Sequence, residues 1–451
     1  MAKKWKIEIN NFLGGFAPAY WKNSFPSYGN KNMLGKMTNI DLTDPTCLKQ
    51  GPGLTTISGT VDQLIKGILK HVVSANKTYG FGGTKVYEIT PTSVSAVRTI
   101  TGASGEDVAL YAGHLKYAYD TDIGDFDLGS TWQDSWWTSQ GGSALTSGKP
   151  HQMIVAGTEG VLAILNGSVV ATWDGSVATD DAFDTKDSDI VLVSGVWNQN
   201  RFWFAGNKPN TSGRNEGSIF VWDGISPSWD YRIKIDGKIG ALFVKNGITY
   251  VIYQKNLSQG VCTLGYCDGM QVRDLANYYG SLPAFYQITD YEDFIIWASG
   301  NEIFAFGGGD LKLGARLFQL GACGDGGLAN PFGTPITAFS DKLQKFLGYT
   351  KNSSFKTLLF DPTLGERSGM VDEIKFTFEK LETGARCDIT LRDNKNTALW
   401  TGTISETGTV SKIFYPKVKC ENFRLEGDFS NGSTSNPVAI KSILIKGHTI
   451  S

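Results

Sequence analysis

The chain has 451 residues, 54 of them glycine, 12% aromatic residues, and 42 basic against 44 acidic side chains. That balance leaves no large positive field with which to grip nucleic acid or an anionic membrane. No run of about 18 apolar residues is present to span a bilayer, and MAKKWKIEINNF lacks the apolar stretch of about 7–15 residues of a secretion signal, so the sequence reads as a protein made and folded in a cytosol.

Glycine supplies the positive-φ positions that tight turns demand, and the aromatic content suits short strands, so the fold class expected is all-β. Residues 1–60 are dense in Gly, Pro and Asn, too broken for a helix. Within them Tyr20, Trp21, Phe25 and Tyr28 carry enough apolar area to need a surface to pack on. The expectation is an extended N-terminal arm that lies on the body or on a neighbouring subunit.

From residue 61 to 362 one unit recurs: an apolar strand, a turn, an aromatic strand, then a hairpin with Gly, Asn or Asp. Its copies begin near Ile65, Val108, His151, Asp189, Ile239, Ala284 and Ile336. A spacing of roughly 40–50 residues matches one four-stranded blade, which predicts a β-propeller of about seven blades. KNGITYVIY, NQNRFWFAG and SGNEIFAFG each place a turn ahead of alternating large residues, the pattern of a half-buried hairpin. DFDLGSTW resembles the Asp-box hairpin of many propellers at Asp127, Gly129, Thr131 and Trp132, with Asp125 in place of the hydroxyl residue. That resemblance implies a folding element and no chemistry.

Beyond residue 362 the alternation in EIKFTFEKL, CDITLRD, ENFRLEGDF and AIKSILIKG predicts a C-terminal antiparallel β-sandwich over 363–451, with Ile440, Ile443 and Ile445 facing inward.

Catalytic signatures are weak throughout. His71, His114, His151 and His448 fall in different repeats or domains, and the six cysteines have no metal-ligand spacing, so buried structural thiols are expected. The acidic run Asp120–Asp127 reads as a solvated turn ahead of a calcium site, and Asp180/Asp181 and Glu292/Asp293 as loop charges ahead of a glycosidase pair. The best ligand-contact candidates are Trp132, Trp136 and Trp137, which could stack a sugar, although packing between blades is the stronger reading. No catalytic residue, metal or cofactor is expected.

The segment NMLGKMTNIDLTDPTCLKQGPGLTTISG, Asn32 to Gly59, is similar to the opening of bacteriophage tail hub and nozzle proteins of the packaged-DNA-stabilisation type. In that family an Asn-rich stretch precedes a basic residue, a Pro-Gly turn and the first blade; Lys49, Gly51, Pro52 and Gly53 occupy the turn here. The resemblance implies a virion tail protein assembled in the host cytoplasm, a homo-oligomeric ring of six subunits joined to other tail or connector proteins. DNA would pass without sequence-specific binding, and the chain would neither catalyse nor insert in a membrane. The alternatives are a tail-tip or surface propeller that binds host glycan through Trp132–Trp137 or Asn207–Asn215, and a propeller glycosidase, which ten arginines and a single Asp box make the weaker choice.

Overall fold

The computed structural model describes every residue except 1, 2, 11, 13–33, 45, 75, 103, 158, 159, 210–215, 256–259, 308–315, 362–367, 432–435 and 451. The described residues form seven four-stranded sheets and two larger ones, and the fold is a β-propeller with a β-sandwich. In order from the innermost strand, blade 1 is Gly67–Ile68, Thr78–Gly82, Lys85–Ile89 and Val94–Thr99. Blade 2 is Gly105–Tyr111, His114–Tyr119, Asp122–Phe126 and Trp132–Gln133, and blade 3 is Met153–Val155, Leu162–Asn166, Val169–Trp173 and Ala178–Asp184. Blade 4 is Val191–Asn198, Arg201–Lys208, Glu216–Trp222 and Tyr231–Asp236; blade 5 is Lys238–Lys245, Ile248–Gln254, Val261–Asp268 and Gln271–Tyr279. Blade 6 is Ile288–Tyr291, Phe294–Ser299, Glu302–Gly307 and Arg316–Ala322. Blade 7 takes Leu328–Ala329, Ile336–Ala338 and Leu343–Tyr349 from late in the chain and Pro52–Thr56 from early in it.

The hairpins follow from turn chemistry. Asn246 (φ 51°) and Gly247 (φ 73°) both take positive φ between the paired residues Lys245 and Ile248, as a type I′ turn requires. Large residues that alternate along the strands then meet between blades. Phe81 of blade 1 lies edge-on to Tyr117 of blade 2, with centroids 5.7 Å apart. The Tyr117 ring in turn covers Gly124 on the next strand, where a Cβ would sit 2.0 Å from it, so only glycine fits. Blades 7 and 1 pack through Ala329, Ile336, Ala338 and Leu343 against Ile65, Tyr87 and Ile89, which closes the circle.

By internal contacts the chain divides into two compact units, Thr56–Asn301 with Cys323–Lys345, and Met1–Thr55 with Glu302–Ala322 and Phe346–Ser451. The second holds the sandwich. One of its sheets runs Ile40–Asp41, Leu48–Gln50, Ala439–Thr449, Gly369–Phe378, Ser411–Phe414, with Lys4–Ile9 also on Ala439–Thr449 and Val418–Cys420 also on Gly369–Phe378. The other runs Leu34–Thr38, Asn352–Thr357, Phe423–Asn431, Ala385–Asp393, Ala398–Ile404. Trp5 of the first stacks on Phe423 of the second at 5.9 Å, and Trp400 of the second meets Phe414 of the first at 5.0 Å. Ile440, Ile443 and Ile445 are fully buried.

The expected domain boundaries need correction. The described part of residues 1–60 is not one extended arm laid on the body or a neighbour but a set of strands built into the sheets: Lys4–Ile9 pairs in register with the last strand, Ile7 opposite Ile445 and Ile9 opposite Ile443. The alternation of Trp5, Ile7 and Ile9 is a strand pattern that buries one face. Likewise Leu34–Thr38, Ile40–Asp41 and Leu48–Gln50 are sandwich strands and Pro52–Thr56 a blade strand. The propeller does not run to 362, because Asn352–Thr357 pairs with Phe423–Asn431 in the sandwich. Tyr20, Trp21, Phe25 and Tyr28 lie outside the described residues.

Candidate functional site

The first strand of each repeat is the innermost of its blade, so the polar residues of these strands share the axis of the propeller. Asp107 and Ser194 of these strands, and Gln152 just ahead of blade 3's, reach to the next blade. Asp107 Oδ2 accepts the Met153 N–H at 2.8 Å. Gln152 Oε1 accepts the Gly195 N–H at 2.7 Å, while its Nε2 donates to the Gly195 carbonyl at 3.0 Å. Ser194 Oγ accepts the Leu242 N–H at 3.0 Å. Asp107 and Ser194 each follow a register shift in their strand, and such a bulge re-aims the side chain out of the ladder. Three N–H groups on the innermost edges, those of Met153, Gly195 and Leu242, are thereby satisfied.

Beside these groups opens a cavity of about 460 Å³. Its lining comes from the innermost strands of blades 1, 2 and 3 and from Phe285 and Tyr286, in the turn that leads into blade 6. Apolar walls are supplied by Ile68, Leu69, Val108, Leu110, Met153 and Val155, and polar groups by Lys70, His71, Asp107 and Gln152. That mixture of apolar wall and few polar groups is typical of small-molecule sites.

The charges in the cavity are perturbed by its surroundings. Burial pushes the Asp107 carboxyl up to about 7, against the opposing pull of the Met153 and Val108 N–H groups and of Lys70. Lys70 is exposed to the cavity, but partial loss of water to the surrounding protein lowers its ammonium, while Asp290 and Asp107 draw it back up. His71, exposed beside it, is lowered by partial loss of water as well. Lys70 and Asp107 were not singled out in the sequence; the signal available was their place in the opening strands IKGILKH and GEDVAL.

The sequence candidates fall elsewhere. Trp136 and Trp137 are 7% and 0% exposed, packed with Trp173, Met153 and Ile164 between blades 2 and 3, and Trp137 Nε1 donates to the Ser143 carbonyl at 2.9 Å. Trp132 stacks on Phe126 at 3.9 Å. These rings are committed to packing, and two of the three have no face open for a sugar. Asp127 Oδ1 accepts the N–H groups of Gly129, Ser130 and Thr131 at 2.8, 2.9 and 3.0 Å, which is the Asp-box turn. Asp174 and Asp223 bind the turns after blades 3 and 4's third strands in the same way, through Ser176 and Val177 and through Ile225 and Ser226. Their shorter motifs, WDGS and WDGI, hid that kinship.

The remaining carboxylates of the acidic run are also engaged: Asp120 with Ser147 and Gly148, Asp122 with Thr138, Asp125 with Lys116 and His114. Asp180 holds the Ser143 N–H, and Glu292 occupies a hairpin turn at φ 51°. His151 bonds the carbonyls of Leu165 and Asp120, and His448 pairs with Asp372 at 2.6 Å. Among the described residues no three His, Cys, Asp or Glu side chains are grouped to hold a metal ion. All six cysteines are free thiols, five of them buried.

No protein-family model and no curated protein matches this chain. Solved structures similar to it include a chain of the Mitotic Checkpoint Complex, 11% identical over 66% of this chain and 92% of that one, with a TM-score of 0.46. Drosophila Semaphorin 1a, extracellular domains 1-2, is 7% identical over 66% and 88%, with a TM-score of 0.42. The computationally designed Ika8 protein is 10% identical over 66% and 100%, with a TM-score of 0.41.

Proposed function

We propose that the chain is a structural, non-enzymatic subunit of a bacteriophage tail, a hub- or nozzle-like protein that assembles with copies of itself around the DNA path. What supports the reading is the segment that resembles that family, because Lys49, Gln50, Gly51 and Gly53 of its turn have building roles. Gly51 donates its N–H to Asn39 at 2.7 Å and accepts from Thr350 at 2.9 Å, and a Cβ there would meet the Leu320 carbonyl at 2.1 Å. The fully buried Gln50 bonds Thr350 and Val438, and Lys49 lies 5.1 Å from the centre of the Tyr349 ring. A Cβ on Gly53 would meet the Tyr349 carbonyl at 2.9 Å, so the Gly-Pro-Gly turn is fixed by close approach of the backbone. Along the axis, the carboxylate, amide and hydroxyl are spent on joining blades, a scaffold role.

The test is quantitative mass spectrometry of purified virions from the source lysate, with antibody labelling seen by electron microscopy. The chain in a fixed ratio to the major tail protein, with label at the tail, is the expected result. Its absence from the particles would overturn the reading.

A further inference from the structure

The axial cavity holds a cation with nothing to bind. No hydrogen bond or ion pair joins Lys70 Nζ to any described residue, although its three donors open on a cavity of about 460 Å³. His71, beside it, has no side-chain partner among the described residues either. Asp107, the carboxylate of the lining, is already occupied by the N–H groups of Met153 and Val108, and Asp290 attracts Lys70 without bonding it. The Gln152 amide is spent on Gly195, and the rest of the wall is mostly apolar and aromatic, with Met153, Phe285 and Tyr286 lining the same space. Lys70 is exposed beside apolar walls, and an ammonium so placed gains most from an anion that brings its own apolar body, since a wholly hydrated ion would leave the walls uncovered.

We propose that this cavity is a binding site for a small organic carboxylate, with the anion on Lys70 and the apolar body against Met153, Phe285 and Tyr286. The volume lies in the usual range for a small-molecule pocket, roughly 300–1,000 Å³. The occupant is a free small molecule. The site is independent of the tail assignment and stands or falls without it.

Isothermal titration calorimetry of the full chain with phenylacetate tests it, with 2-phenylethanol and phenethylamine as the neutral and cationic counterparts. Phenylacetate should bind saturably at one site per chain and more tightly than both counterparts. Lys70→Met should weaken it by about tenfold or more, as loss of a charged hydrogen bond does, and Lys70→Arg should restore it. Asp107→Asn keeps an oxygen for the Met153 N–H while removing the competing charge, so it should tighten binding. Unchanged thermal unfolding of Lys70→Met, which breaks no contact, certifies that variant. Equal or tighter binding of phenethylamine, unchanged affinity in Lys70→Met, or no saturable phenylacetate binding would each overturn the proposal.

Discussion

Replacing Asp107 by asparagine should stabilise the propeller at alkaline pH and leave it unchanged at acid pH. Burial lifts this carboxyl from 3.8 to about 7 in the folded chain. Between those values the folded state keeps a proton that the unfolded state has lost, so the stability it contributes is complete below 3.8 and is lost as pH rises to 7. About three pH units at about 1.4 kcal/mol each set a ceiling of about 4 kcal/mol, and cavity water should reduce this to roughly 1–3 kcal/mol. Asparagine preserves the bond to the Met153 N–H and removes the titration. The assay is urea unfolding followed by tryptophan fluorescence from pH 4.5 to 8.5. Nine of the twelve tryptophans lie in the unit Thr56–Asn301, so the signal reports the propeller. The gap between variant and parent should open as pH rises and level off above about pH 7.5. Asp107→Ala, by contrast, strands a buried N–H at a cost of about 1–3 kcal/mol and should speed hydrogen exchange at Met153. A gap independent of pH, or a less stable Asp107→Asn at pH 8.5, would refute the reasoning.

Three further outcomes are expected. Trp137→Ala should cost about 3–5 kcal/mol, because it empties a fully buried site between blades 2 and 3; a change within about 0.5 kcal/mol in thermal unfolding would contradict that packing. Deleting residues 1–9 strips a strand from the sandwich and bares the edge of Ala439–Thr449, so the chain should lose sandwich stability and aggregate on warming, measured by light scattering. At pH 8 native thiols should react slowly with Ellman's reagent, since burial raises Cys47 and Cys262 to about 11 and Cys267 and Cys420 to about 12; one rapidly titrating thiol would contradict this.

The propeller was legible because its repeats carry two local signals together, a turn such as Asn246-Gly247 and an alternating strand such as Ile248–Gln254. Both are short-range, and both recur. What escaped was long-range pairing. Lys4–Ile9 shows a clean alternation, but its partner stands more than 430 residues away, and nothing local says which sheet a strand will join. Pro52–Thr56 and Asn352–Thr357 exchange between propeller and sandwich for the same reason. Trp132–Trp137 stood as a ligand candidate beside the stronger packing reading because aromatic residues serve both uses, and the burial of Trp136 and Trp137 favours packing. The axial cavity escaped altogether: Lys70, Asp107 and Phe285 are far apart in sequence, and each is unremarkable until blades 1, 2 and 6 bring them around one axis.

The central claim, a self-assembling structural subunit, is tested most directly by the mass and symmetry of the purified full chain, read by native mass spectrometry and negative-stain class averages on one preparation. A closed ring of six copies with a central opening is the expected result. A strict monomer across the concentration range, combined with its absence from virions, would contradict it.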